Sequence, residues 1–395
     1  SKHCKKIQTF YWEKCSKSFL ISCLNSIFHQ INRVKPETGS FCITHEVSMK
    51  QKEKETLNEL QVEAVTSPFT SPLLVVAGPG TGKTRVITER VKHMIKNGVK
   101  PSEILCLTFS EKATLEMLER LESEFDVSEL KIRTFHSFAY EILDENVLES
   151  GIGISGGIMS QPNELIWALN NIDKFGFEHI DLGNDPYKIL EAMINGIDTF
   201  KNELVTHEEL QKYIENKSKD KNLENDPVKQ TELGQLKDLQ KIYSHLQKFL
   251  KENRLVDLDD MVMHAVHLLK EKPLILSKYQ KQIKYVLIDE FQDTNYAQFE
   301  LGKLLTQNGQ VTAVGDEDQS IYRFQGAYSS IFDDFRKNYR QNLTEIILEE
   351  NYRSTKNIVN LASKLLENSP NRTSKKIRTD NEEGNKTIVA QCNTD

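Results

Sequence analysis

One stretch of the sequence combines glycines, a lysine and a threonine in a pattern suited to holding phosphate groups. The stretch 77–84 matches the pattern G-x-x-x-x-G-K-[ST] at every position except the first, where Ala77 stands in place of glycine. Glycines allow a tight turn in which successive backbone N–H groups point at one anion, and a helix that starts near Lys83 adds the positive end of its dipole. Lys83 would reach the β- and γ-phosphates, and the Thr84 hydroxyl would ligate Mg²⁺. The predicted nucleoside triphosphate site consists of Gly78, Pro79, Gly80, Thr81, Gly82, Lys83 and Thr84.

Two acidic residues follow an apolar run later in the chain. The run 285–288 predicts a buried strand, and Asp289 and Glu290 come directly after it. Because parallel strands end at the same edge of a sheet, both carboxylates would face the phosphate loop. Asp289 would hold Mg²⁺ through water, and Glu290 would orient and deprotonate the attacking water. For such a pair taken alone, a solvated strand end is the alternative.

A third cluster, 313–327, follows another predicted strand and combines an amide, two aromatic residues and a glycine. Gln319 would sense the γ-phosphate. Tyr322 and Phe324 would stack on the bases of a single nucleic-acid strand. The alternative for both aromatic residues is burial in a core, which is the commoner position of such side chains.

Alternating strands and helices are expected to position these residues, and such alternation favours a parallel sheet covered by helices. The strands are predicted at 73–77, 104–108, 131–134, 285–288, 311–314 and 346–348, and the first helices at 83–97 and 112–124. From 141 to 254 apolar residues recur at helical spacing instead, which predicts a mainly helical subdomain inserted into an α/β domain. The clearest recurring positions are Leu233, Leu236, Leu239, Ile242, Leu246 and Leu250.

The composition is that of an ordinary soluble protein of 395 residues, with 38% hydrophobic and 28% charged residues. Since no apolar run approaches the roughly 20 residues that a membrane span requires, we expect no membrane association and a cytoplasmic location. A net charge of −7 gives no global basic field, but it does not exclude a local basic groove. Four of the six cysteines lie in the first fifty residues without a C-x-x-C pair, which favours reduced thiols over a zinc site.

Seven motifs occur in an order that resembles the UvrD/Rep/PcrA group of superfamily 1 DNA helicases. The resemblance extends from about Leu57 to Thr355, which is most of the chain. Besides the phosphate loop and 315–327, the motifs are LNELQ at 57–61, LTFSEKA at 107–113, TFHSF at 134–138, DEFQDT at 289–294 and NYRST at 351–355. The resemblance implies a RecA-like P-loop NTPase sheet with an inserted mainly helical subdomain, and it implies ATP and Mg²⁺ as cofactors.

The resemblance also implies roles for individual side chains. Gln61 would read the adenine edge, since an amide can donate and accept at once. Tyr352 would stack on the adenine, Arg353 would stabilise charge at the γ-phosphate, and Arg85 would approach the nucleotide as well. The implied catalytic residues are Lys83, Asp289, Glu290, Gln319 and Arg353. The implied DNA contacts are Phe109, Thr134, Phe135, His136, Tyr322, Phe324 and Gln325.

Three residues depart from the family pattern near the expected DNA strand. Phe324 and Gln325 stand where the family usually has Trp and Arg, and Glu111 stands where it often has a neutral polar residue. A smaller stacking face, a missing phosphate-pairing cation and an added negative charge all predict a weaker grip on single-stranded DNA.

The resemblance predicts a domain order along the chain. Residues 1–48 would be an extension that packs little on the rest, with Met49 as the natural start. Residues 49–140 and 255–345 would form the RecA-like ATP-binding domain (1A), and 141–254 the inserted subdomain (1B). Residues 346–395 would begin a second RecA-like domain (2A) that is otherwise missing, so this fragment is expected to hydrolyse ATP slowly.

The implied function is that of the N-terminal part of an ATP-dependent 3′–5′ DNA helicase or single-strand translocase in repair or replication restart. Its partners would be single-stranded DNA, single-strand/duplex junctions and unidentified repair factors. One alternative is a nucleotide-gated single-strand-binding module without unwinding activity. A second is the helicase part of a RecB-type nuclease, although the sequence carries no nuclease signature.

Overall fold

The computed structural model describes residues 56–219, 226–306, 309–320, 330–367 and 375–388. The predicted extension 1–48 and the residues Tyr322, Phe324 and Gln325 lie outside these ranges. The described residues divide into two compact units: a helical unit, Asn146–Met263, and a sheet unit made of the described residues on either side of it. The predicted limits of the insertion, 141 and 254, lie a few residues before the limits of the helical unit.

Strands and helices alternate in the sheet unit, and two further short strands, β4 and β5, lie in the helical unit. In chain order the strands are β1 (Leu73–Ala77), β2 (Ile104–Thr108), β3 (Lys131–Thr134), β4 (Gly157–Ile158), β5 (Leu255–Val256), β6 (Tyr285–Ile288), β7 (Val311–Gly315) and β8 (Thr344–Leu348). All but β4 and β5 form a parallel six-stranded sheet in the order β3-β2-β6-β7-β1-β8. The predicted parallel α/β sheet is therefore confirmed.

Helices connect the strands. The first four are α1 (Glu59–Thr66), α2 (Lys83–Lys96), α3 (Glu111–Glu122) and α4 (Phe135–Glu145). Those that begin in the helical unit are α5 (Val147–Ser150), α6 (Gln161–Asn170), α7 (Ile172–Phe175), α8 (Pro186–Asn202), α9 (His207–Lys217), α10 (Pro227–Glu252) and α11 (Leu258–Glu271). The last are α12 (Pro273–Gln282), α13 (Tyr296–Leu305), α14 (Ile331–Asn338) and α15 (Lys356–Leu366). Across the described ranges, none has the length and apolar character needed to cross a membrane.

The central strands are apolar along their whole length because the sheet is covered on both faces. Every residue of β1, β2 and β7 is buried. Strands buried on both faces read as continuous apolar runs and show no alternation. This explains why β1, β2 and β6 could be predicted with their correct limits.

The last strand lies at the predicted limit between the two domains. Residues 344–348 pair in parallel with β1, from Leu73 opposite Thr344 to Ala77 opposite Leu348. The predicted start of a second domain at residue 346 therefore falls inside β8. Residues 346–348 belong to the six-stranded sheet because their backbone hydrogen bonds are made with β1.

The core of the helical unit lies between α8 and α10 and their neighbours. The six apolar residues whose spacing predicted a helix, from Leu233 to Leu250, are all buried in α10. They pack with Leu190, Ile194 and Ile197 of α8 in one cluster. The helical periodicity therefore identified a true packing face.

Candidate nucleotide-binding site

Four neighbouring strands end at the same edge of the sheet, and the predicted nucleotide-binding segments follow them. The strands are β6, β7, β1 and β8, in that spatial order. Asp289 and Glu290 follow β6, the turn with Gln319 follows β7, the phosphate loop follows β1, and Asn351 comes shortly after β8. Segments that are far apart in sequence meet here because parallel strands end together.

The phosphate loop requires glycine at two positions. Gly80 and Gly82 have φ values of +68° and +87°, a region that other residues rarely adopt. A Cβ on Gly80 would lie 2.7 Å from Cβ of Arg353, and one on Gly82 would lie 3.0 Å from Nε2 of Gln61. The α2 helix begins directly afterwards at Lys83, as the phosphate-loop pattern predicts.

A cavity of about 230 Å³ opens above this loop. Most of the predicted nucleotide ligands line it, whereas Gly78, Thr81 and Asp289 are buried beneath its wall. The lining residues are Gln61, Pro79, Gly80, Gly82, Lys83, Thr84, Arg85, Glu116, Arg120, Glu290, Gln319, Tyr352 and Arg353. The structure thus brings residues of the phosphate loop, Glu290 and Gln319 into one place.

The lysine of the loop and the predicted base are paired. Nζ of Lys83 lies 3.2 Å from Oε2 of Glu290, which also accepts a hydrogen bond from Nε2 of Gln292 at 2.8 Å. Glu290 has a φ of +48°, and such a conformation costs a non-glycine residue about 1–3 kcal/mol. This strained backbone turns the Glu290 carboxylate toward the phosphate loop.

Asp289 and Thr84 provide two oxygen atoms beside the loop. The Thr84 hydroxyl donates a hydrogen bond to the Asp289 carboxylate. Burial, and secondarily the charge of Glu290, raise the pKa of Asp289 to about 7, so a cation at this position would relieve an unfavourable buried charge. The described residues contain no cluster of three or more His, Cys, Asp or Glu side chains suited to a metal. The pair fits Mg²⁺ held jointly with phosphate oxygens and water, which is the usual arrangement for this ion.

The capping residue of the α1 helix contacts an amide and an aromatic ring that both line the cavity. Asn58 caps α1, and its backbone N–H donates to Oε1 of Gln61 at 3.0 Å. Nε2 of Gln61 donates to the carbonyl oxygen of Thr81 at 2.9 Å. Nδ2 of Asn58 donates to the hydroxyl oxygen of Tyr352 at 2.7 Å, so one capping residue orients both Gln61 and Tyr352. Burial and the neighbouring Glu350 raise the pKa of Tyr352 to about 12.

The turn after β8 is fastened to the phosphate loop. Nδ2 of Asn351 donates a hydrogen bond to the carbonyl oxygen of Pro79 at 2.6 Å. The backbone N–H of Tyr352 donates to the carbonyl oxygen of Gly80 at 2.9 Å. These bonds hold Arg353 beside the loop. In the sequence Asn351 is recognisable only as part of a motif, and the role of its amide group becomes visible only in three dimensions.

Two further cavity residues were not identified from the sequence. Glu116 and Arg120 lie one turn apart on α3, with Nη2 of Arg120 2.7 Å from Oε1 of Glu116. Such a pair on a helix usually belongs to a solvated surface, so no sequence pattern distinguishes these two residues.

The residues predicted to contact DNA differ in their accessibility. Phe109 exposes 43% of its side chain, whereas Thr134 and Phe135 are buried. Oγ1 of Thr134 donates to Oε1 of Glu111 at 3.2 Å. His136 is partly buried, which lowers its pKa. Because Phe135 is buried, its ring offers no exposed stacking surface to a base, and the DNA contacts remain predictions.

The parallel sheet, the phosphate loop after β1 and the carboxylates after β6 define a P-loop nucleotide-binding protein of the RecA-like type. The family described as the UvrD/REP helicase N-terminal domain matches residues 57–340, and the UvrD-like helicase C-terminal domain matches residues 346–395. The chain belongs to the UvrD/REP helicase family.

Named relatives agree with this assignment. The ATP-dependent DNA helicase PcrA of Bacillus subtilis is 37% identical over 339 residues, which cover 83% of this chain and 42% of that protein. DNA helicase II of Haemophilus influenzae is 33% identical over 336 residues, covering 83% of this chain and 42% of that protein. A probable DNA helicase II homologue of Mycoplasma capricolum is 34% identical, with 86% and 44% covered. The chain spans less than half the length of these relatives.

Proposed function

We propose that this chain provides the ATP-hydrolysing part of a DNA helicase that translocates along single-stranded DNA in the 3′ to 5′ direction. The observation that carries the proposal is the ion pair between Lys83 and Glu290 at the mouth of a complete phosphate loop. It joins a phosphate-binding cation to a carboxylate placed to act as general base. Membership of the UvrD/REP helicase family supports DNA as the partner.

The proposed chemistry assigns one task to each cavity residue. Lys83 and the loop N–H groups bind the phosphates, Thr84 and Asp289 hold Mg²⁺, and Glu290 accepts a proton from the attacking water. Bound Mg²⁺ neutralises charge on the β- and γ-phosphates. The remaining contacts are assigned as Gln61 and Tyr352 to the adenine and Gln319, Arg85 and Arg353 to the phosphates.

We also propose that the protein acts at single-strand/duplex junctions during DNA repair or replication restart, and that it does so in the cytoplasm. Three relatives are described as DNA helicases, which supports DNA as the substrate in this proposal. Phe109 would supply one exposed stacking surface for a base, and Tyr322 and Phe324 two more.

The test measures ATP hydrolysis with and without a single-stranded oligonucleotide, followed by unwinding of duplexes with a 3′ or a 5′ tail. We expect DNA-stimulated hydrolysis that Lys83→Ala abolishes, and unwinding of the 3′-tailed duplex alone. Hydrolysis without unwinding of either duplex would favour a nucleotide-gated DNA-binding module, and unwinding from the 5′ tail would overturn the polarity.

A further inference from the structure

Lys375 is a fully buried lysine next to the nucleotide site. Its Nζ forms an ion pair with Oδ1 of Asp316 and lies 3.0 Å from Oδ2 of Asp318. The side chains of Lys375 and Asp316 expose none of their surface, and that of Asp318 exposes 9%. A buried ammonium is tolerated only where partners neutralise it, and removing one partner leaves an uncompensated charge. The three groups therefore depend on one another.

The two carboxylates belong to the turn that carries Gln319. Nε2 of Gln319 donates to Oδ2 of Asp316 at 2.6 Å, and its backbone N–H donates to the carbonyl oxygen of Asp316 at 2.9 Å. An amide nitrogen carries two hydrogens, so this bond leaves the second one available to a phosphate oxygen in the cavity. Asp316 thus sets the orientation of Gln319, while Lys375 holds Asp316.

Asp316 is also connected to the proposed base. Its backbone N–H donates to Oε1 of Gln292 at 2.9 Å, and Nε2 of Gln292 donates to Oε2 of Glu290 at 2.8 Å. Without a cation, two buried carboxylates on the same short turn would repel each other, and they would take up a proton or move apart. Either change would alter the orientation of Gln319.

Lys375 approaches from a segment that lies against the phosphate loop. A Cβ on Gly78 would lie 2.2 Å from Cδ1 of Ile377, so the isoleucine packs directly on the loop. The backbone N–H of Arg378 donates to the carbonyl oxygen of Glu349 at 2.9 Å. The contacts of Ile377 and Arg378 therefore hold the segment that carries Lys375 in place, in addition to the ion pair of the lysine itself.

We propose that Lys375 is a positioning residue for ATP hydrolysis, which neutralises Asp316 and Asp318 so that Asp316 holds the Gln319 amide toward the terminal phosphate. This inference rests on the proposed ATPase function. It predicts a defect in the step that senses the terminal phosphate, with little change in the general affinity for nucleotide.

The test compares Lys375→Met with Lys376→Met in the complete protein. Lys376 is the adjacent residue and is exposed, so its loss removes an equal charge without touching the turn. We expect Lys375→Met to lower kcat by roughly 10- to 100-fold, the range caused by small misplacements of catalytic groups, with KM for ATP little changed. The preference for a non-hydrolysable ATP analogue over ADP should fall in the same variant, and Lys376→Met should match the unmutated protein in both measurements.

A double-mutant cycle distinguishes positioning from a general structural role. If Lys375 acts through Gln319, Lys375→Met should lower kcat no further in a Gln319→Ala background. Equal losses in both backgrounds would overturn the proposal. If thermal unfolding shows that Lys375→Met is not folded, Lys375→Gln, which keeps hydrogen-bond donors and lacks the charge, takes its place in the cycle.

Loss of the positioning role and loss of the proposed ATPase function would give different results. An unmutated protein that neither binds nor hydrolyses ATP would contradict the proposed function. An unmutated protein that hydrolyses ATP, together with Lys375 variants that behave like Lys376→Met, would contradict only the positioning role.

Discussion

Nζ of Lys83 lies 3.2 Å from Oε2 of Glu290, so the cation of the phosphate loop is paired with the carboxylate assigned as base. The Lys83 side chain is 9% exposed and that of Glu290 is 35% exposed, which places the pair at the boundary between core and cavity. A triphosphate that binds to Lys83 would compete with Glu290 for the same ammonium. Phosphate binding and release of the base for the attacking water would then be coupled through one ion pair.

Substitution of the two partners should separate binding from hydrolysis. Lys83→Ala should abolish both, because the charge that offsets the phosphates is lost. Glu290→Gln should keep nucleotide binding and lower kcat by roughly 10²–10⁴-fold, the usual contribution of a general base, because an amide cannot accept the proton. Fluorescent-nucleotide titration and a steady-state ATPase assay measure the two quantities. Equal loss of binding in both variants would show that Glu290 has a structural role.

The phosphate loop offers a prediction with an internal control. Gly82 and Gly98 have nearly the same φ, +87° and +89°, but an added Cβ meets Nε2 of Gln61 at 3.0 Å in the first case and nothing within 4 Å in the second. Alanine in this region of φ costs roughly 1–2 kcal/mol, so both variants should unfold at a lower temperature. Only Gly82→Ala should also lose nucleotide affinity. Unaltered affinity in Gly82→Ala would mean that the loop tolerates a side chain beside Gln61.

Much of the sheet unit could be predicted because its strands are short, apolar and followed by recognisable residues. The apolar run ahead of Gly78 gives a buried strand, and the glycines and Lys83 give the turn and the helix start. β8 was less accurately predicted: it begins at Thr344, and its place next to β1 depends on long-range pairing that no local pattern encodes.

The parts of the site that escaped prediction are those that depend on contacts between distant segments. Lys375 lies in a polar stretch and becomes notable only because Asp316 approaches it. Arg120 has the spacing of a surface ion pair with Glu116 and lines the cavity only because α3 passes beside it. The burial of Phe135, in a motif expected to face DNA, likewise follows from tertiary packing.

Phe109 provides an accessible test of DNA binding. Its side chain is 43% exposed, so Phe109→Ala should alter stability little and should weaken binding to a short single-stranded oligonucleotide by roughly 1–3 kcal/mol, the cost of losing one stacking platform. The loss should depend little on salt, because stacking releases no counterions. Fluorescence titration at several salt concentrations measures it, with Leu274→Ala, an exposed apolar residue on α12, as the control. Identical affinities for the two variants would place the DNA strand elsewhere.

The aromatic residues outside the described ranges extend this test. Tyr322→Ala and Phe324→Ala should each weaken single-strand binding by roughly the same 1–3 kcal/mol. Gln325→Arg should tighten binding and steepen its salt dependence, because it adds a phosphate-pairing cation. Unchanged affinity in both alanine variants would indicate that these rings pack in a core.

The helical unit contains a buried carboxyl group that should make its stability depend on pH. Glu164 of α6 is 2% exposed, and its Oε2 accepts no hydrogen bond within the described part of the chain. Burial, and then the charge of Asp257, raise the pKa of Glu164 to about 9. The positive charge of Lys201 lowers the pKa of Glu164. The Lys201 ammonium pairs with Asp257 and lies 3.2 Å from Oδ1 of Asp260. Glu164 is therefore protonated in the folded state at neutral pH and ionised in the unfolded state.

A group that binds its proton more tightly in the folded state stabilises the fold at low pH, and this contribution is lost as pH rises through the folded-state pKa. The free energy of unfolding should therefore fall from about pH 5 to about pH 9 by more in the unmutated protein than in Glu164→Gln, since glutamine keeps the shape without an ionisable proton. Urea unfolding across this range measures the difference, which also cancels the titration of groups common to both proteins. Glu191→Gln, on the exposed side of α8, should leave the pH dependence unchanged. Parallel curves for Glu164→Gln and the unmutated protein would mean that Glu164 ionises normally in the folded state.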